Sequence, residues 1–92
     1  MFIQWDGTVT LGSHRMSAHV FCTPPRESHA GHWEGTGVAL TDWPEDTDEF
    51  NTNIGRILIT SRVYGKGDYP LMEFSGAGAP AGPLAAELVK KS

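Results

Sequence analysis

Apolar and polar residues alternate through residues 3–11 and again through 14–22, and the two runs match when the chain folds back at Gly12-Ser13. Pairing positions whose numbers sum to 25 sets Ile3 opposite Cys22, Trp5 opposite Val20, Val9 opposite Met16 and Leu11 opposite His14 on one face. The other face then carries Phe2 with Thr23, Gln4 with Phe21, Asp6 with His19, Thr8 with Ser17 and Thr10 with Arg15. A two-residue loop that begins with Gly is the signature of a type II′ hairpin, and a slip of one residue would scramble both faces. The sequence therefore specifies its first hairpin together with its register.

Residues 23–31 read as a loop, because Pro24 and Pro25 remove donors and turn the preceding backbone away from helix. Residues 32–41 form a third predicted strand, with His32, Glu34, Thr36, Val38 and Leu40 on one face and Trp33, Gly35, Gly37 and Ala39 on the other. The two glycines predict a bend or bulge, with a backbone or a large ring (Trp5 or Trp33) packed close. Residues 42–53 are polar and acidic and read as a long loop in which Pro44 opens one helical turn. Residues 54–64 make the strongest strand by composition, placing Ile57, Ile59 and Val63 on one face and Arg56, Leu58, Thr60 and Arg62 on the other. A turn at 65–68 then pairs Ile59 with Phe74, Ser61 with Met72 and Val63 with Pro70. The Gly-Ala run at 76–82 reads as a flexible hinge.

Residues 83–91 suit a short helix with Pro83 at its first position and Leu84, Leu88 and Val89 on one side. So short a helix is not stable alone and must dock. The predicted fold is all-β: a small antiparallel meander of about five strands, curled into a barrel or sandwich, with a short C-terminal helix. Residues 1–83 form the β domain and 84–92 the helix or tail.

Composition narrows the function classes. The chain has 92 residues, near the lower limit for an unstapled core, and its 39% apolar content reaches the usual globular level once the 11 glycines are counted. Such a core gains from self-association, which predicts a homodimer. Seven basic against eleven acidic residues give a net charge of −4, and Lys90-Lys91 is the longest basic run, which argues against nucleic acid as a partner. No apolar run is long enough for a membrane helix. The lone Cys22 can make no internal disulfide and the N-terminus lacks a signal-peptide pattern, so the expected compartment is the cytoplasm.

All four histidines and the cysteine fall within residues 14–32, which invites a metal reading. The hairpin register opposes it: His14 and Cys22 share a face about 26 Å apart along the strand, while His19 points the other way. Only His29 and His32 are free to converge, and two ligands fall short of the three or four that zinc takes. Asp6 opposite His19 is the one catalytic candidate, since a carboxylate can fix an imidazole as a general base, but the register sets no Ser or Cys nucleophile beside it. The acidic residues of 42–53 lack the spacing and central glycine of an EF-hand. Gly76, Gly78 and Gly82 lack the crossover and the Lys-Ser/Thr of a phosphate loop, so no cofactor is implied.

The aromatic residues are more suggestive. Phe2 and Phe21 lie on the hairpin's outer face and mark an interface or ligand floor if nothing covers them. The sequence thus points away from an enzyme and toward a small interaction module that binds a protein partner or itself. The alternative is a barrel-mouth pocket for a small apolar molecule, lined by Trp33, Trp43, His32, Glu34 and Tyr64, with scope for hydrolase or isomerase chemistry.

Overall fold

The first hairpin forms as its alternation dictates. The computed structural model describes residues 3–23, 31–65 and 69–91. Strands β1 (Ile3–Leu11) and β2 (His14–Thr23) pair from Ile3 with Cys22 to Leu11 with His14 in the predicted register. Gly12 takes φ +60° while Ser13 stays at negative φ, as a type II′ loop requires. The Phe2–Thr23 pair, His29 and the turn residues 66–68 lie outside the described residues.

Four more strands follow: β3 (His32–Ala39), β4 (Glu49–Thr52), β5 (Gly55–Val63) and β6 (Leu71–Pro80). All pairings are antiparallel, in one sheet of order β1-β2-β3-β6-β5-β4 that curls into a half-barrel. The described residues are all-β apart from α1 (Gly82–Lys91), a short C-terminal helix that seats Leu84 in the core. Two three-stranded meanders join through β3 and β6, and the concave face gathers a core that includes Val9, Met16, Val20, Trp33, Phe50, Ile57, Met72 and Phe74.

Several local expectations are corrected. Residues 49–52 are a sixth strand, not loop, and no helical turn forms at Pro44. Phe50 is the reason: it pairs with Ile57 and is buried, so one large apolar side chain draws a polar segment into the sheet. The Gly-Ala run is strand as far as Pro80, not hinge. β3 pairs with β2 and β6 without a bulge. At its glycines a backbone and a large ring do pack close, as expected, but the ring is Phe74, not Trp5 or Trp33. A Cβ at Gly35 would lie 2.5 Å from the His19 carbonyl oxygen and 2.8 Å from the Phe74 ring, and one at Gly37 would lie 2.1 Å from the Met16 sulfur.

The second hairpin holds the most consequential difference. Ile59 pairs with Phe74 as predicted, but a bulge between Ile59 and Ser61 moves Ser61 onto Glu73, Arg62 onto Met72 and Val63 onto Leu71. One extra residue exchanges the two faces of a strand. Arg62 therefore turns toward the core side with its side chain 16% exposed, while Val63 turns outward and is 55% exposed.

Candidate functional site

The exchange at the bulge adds Val63 to an apolar surface on the convex face. Val38, Leu71 and Val63 stand side by side on β3, β6 and β5, each about half exposed. One step further along, beyond the Ala39–Pro70 backbone bond of 3.1 Å, Leu40 and Tyr69 extend the same two lines and are also exposed. Tyr64 follows Val63 and directs its hydroxyl to the Glu45 carboxylate. Five of the nine exposed large apolar residues among those described, Val38, Leu40, Val63, Tyr69 and Leu71, thus sit at one end of one sheet face. The row of Ser17, Val38, Leu71 and Val63 contains no carboxylate, and the acidic Glu73 begins only in the next row.

Phe21 lies two rows away. It is 38% exposed and meets His19 edge-on, with ring centroids 4.5 Å apart. The Nδ1–H of His19 donates to the Asp6 carboxylate, which fixes the tautomer as the cross-strand register predicts. The pair opens on solvent. Its cross-strand neighbour on β3 is Thr36, and a nearby hollow of about 240 Å³, lined by Phe21, Glu34, Thr36 and Glu73, leaves His19 out. The arrangement thus holds an imidazole oriented by a carboxylate, with Thr36 as its cross-strand neighbour.

The five residues expected to line one barrel-mouth pocket are divided among separate places. Trp33 and His32 line a cavity of about 420 Å³ under α1, next to Cys22, Gly78 and Leu88. The Trp33 indole N–H donates to the Gly78 carbonyl at 2.9 Å, and His32 Nε2 lies 3.4 Å from the Glu34 carboxylate. Glu34 belongs to the outer hollow. Trp43 is buried elsewhere: its indole N–H donates to the Arg15 carbonyl at 2.9 Å, and its ring meets Phe50 edge-on at 5.5 Å and His14 at 6.1 Å. Tyr64 is exposed beside the acidic stretch, where its hydroxyl meets Glu45. Cys22 is 1% exposed, and burial pushes its thiol pKa up, which holds it in the neutral form.

Arg62 is the polar residue that sequence reasoning misplaced. Its Nη2 donates to the carbonyls of Pro44 and Thr47, both at 3.0 Å, and its Nη1 pairs with Asp48 at 3.2 Å. The acidic stretch thus gathers around a guanidinium supplied by β5. His14, also within the metal reading, donates from Nδ1 to the Asp42 carbonyl. Among the described residues no three His, Cys, Asp or Glu side chains gather to hold a metal ion, and no helix is long and apolar enough to cross a membrane. The sequence matches no family model, and no curated protein or solved structure matches it.

Proposed function

We propose that this protein is a non-enzymatic interaction module that pairs with a second copy of itself through the convex apolar patch. The observation that carries this reading is the in-register row Val38, Leu71 and Val63, backed by Leu40 and Tyr69. On a monomer an exposed apolar patch of roughly 300–600 Å² is already the largest expected and marks an interaction site. The patch suits a second copy because it is self-complementary. A two-fold axis lying between the two rows sets each copy's Leu40 over the other's Val38 and each copy's Tyr69 over the other's Leu71. Two sheets stacked in this way form a sandwich with nearly aligned strands. A reducing compartment such as the cytoplasm suits a chain whose single cysteine is buried and unpaired.

Sedimentation of the wild-type chain and of a Val38→Ser/Leu71→Ser variant tests the reading. Both positions are about half exposed, so the variant keeps the fold. The expected result is a wild-type dimer and a monomeric variant with an unchanged circular-dichroism spectrum. A wild-type chain that remains monomeric at tens of micromolar, or a variant that remains dimeric, overturns it.

A further inference from the structure

The cavity under α1 is walled by one fixed aromatic ring and by residues too small to fill it. Trp33 is held from two directions. Gly76 lies so close beneath its ring that a Cβ would fall 2.0 Å from the indole, and the Gly78 carbonyl takes its N–H. Trp33 is therefore a rigid wall whose polar atom is already satisfied.

Beyond it the strand continues as Gly78, Ala79 and Pro80, and all three line the cavity. Larger side chains at the inward positions of this strand would occupy the space, as Met72 and Phe74 do further back on β6. A Cβ placed on Gly78 would meet no atom within 4 Å, so this wall faces open space. Leu88 of α1, packed against the core, supplies the opposite wall. The volume of about 420 Å³ falls within the roughly 300–1,000 Å³ of small-molecule sites.

The lining also sets the chemistry of an occupant. The side-chain polar groups available are the Thr23 hydroxyl, the Cys22 thiol and the imidazole of His32, and the last already faces Glu34. No uncommitted cation or carboxylate among the described lining residues would meet a charged ligand, and burying an unpaired charge is costly. The geometry points to a binding site for an uncharged, apolar molecule of about the size of two fused rings, packed against Leu88, Ala79 and Pro80. It meets only the small part of Trp33 left uncovered (3% exposed) and places at most one polar group toward Thr23. This site is separate from the convex patch and does not depend on dimerisation.

Titration of the full chain with N-phenyl-1-naphthylamine, an uncharged aromatic fluorophore, tests it. The expected result is a saturable fluorescence rise at one probe per chain. Leu88→Trp, which fills the cavity from a half-buried helix position, should weaken binding at least tenfold, and Val38→Ser/Leu71→Ser should leave it unchanged. In the unaltered chain the probe should also slow Cys22 modification by a disulfide reagent, with the same saturation curve, which keeps the test valid if Leu88→Trp fails to fold. No saturation, wild-type affinity in a folded Leu88→Trp, loss of signal in the convex-face variant, or unaltered Cys22 reactivity at saturating probe would each overturn the proposal.

Discussion

Asn53 takes the place of a strand for Thr10. Its Oδ1 accepts the Thr10 N–H at 2.7 Å while its own N–H donates to the Thr10 carbonyl at 3.2 Å, and its Nδ2 reaches the Thr8 carbonyl at 2.9 Å. β1 and β4 are the two edges of the sheet, so one residue of the β4–β5 turn draws the half-barrel together across its open side. The next residue continues the clasp, since the Ile54 carbonyl accepts from Ala81 at the entry to α1.

Asn53→Ala removes two of these three bonds and leaves the Thr10 N–H and Thr8 carbonyl to find water. Lost hydrogen bonds at part-buried groups cost about 1–3 kcal/mol together. The midpoint of urea unfolding should fall accordingly, with little change in slope. An unaltered midpoint would show that the edges close without the clasp.

Gly76 is constrained by contact rather than by conformation. A Cβ there would sit 2.0–2.3 Å from three atoms of the Trp33 indole, and the indole is tied to Gly78, so it has little freedom to withdraw. Gly76→Ala should destabilise the fold by about 1–3 kcal/mol, the ordinary range for overpacking. Near-ultraviolet circular dichroism and tryptophan emission should shift as well. Gly12→Ala is a useful contrast, since there the cost arises from the positive φ alone and tryptophan signals should not move.

Much of this fold was legible because alternation, turn chemistry and charge agree with one another in the first hairpin and in α1, where Leu84 and Leu88 pack as expected but Val89, placed on the same side, is 78% exposed. Leu11-Gly12-Ser13-His14 fixed nine residue pairs without ambiguity. The failures have specific causes. Phe50 alone turns an acidic segment into an edge strand, and a single buried residue leaves no period to detect. The bulge at Ile59–Ser61 leaves no glycine to announce it, yet it moves Val63 outward and Arg62 inward. Val63 joins the convex patch only through that exchange, and so its place there could not be read from alternation carried unbroken through β5. The cavity was half legible: Trp33 and His32 do line it, but the glycines that open it read as a hinge.

Arg62 ties β5 to the segment before β4 through two carbonyls and Asp48, and its Nε is buried without a partner among the described residues. Arg62→Met keeps the aliphatic stem and removes the guanidinium. It should free residues 44–48 while leaving the sheet formed. Hydrogen exchange should quicken around Asp48, whose carbonyl accepts from the Ile59 N–H at 2.7 Å, and limited proteolysis should cut first within the acidic stretch. Exchange and cleavage equal to wild type would show that the segment holds its course by Phe50 and Trp43 alone.

Cys22 links pH to stability with a definite sign. Burial raises the thiol pKa in the folded chain, because the ionised form would lose its water, whereas in the unfolded chain the thiol titrates near its ordinary value of about 8.5. Above that pH the unfolded state gives up a proton that the native state retains, so the native state binds more protons and stability falls as pH rises. The contribution is fully present below the unfolded value and is lost through the alkaline range. Denaturation midpoints measured from pH 7 to pH 10 should therefore decline for the wild type more steeply than for Cys22→Ala, which carries no titrating group at this position. Parallel declines in the two proteins would assign the alkaline loss to other groups.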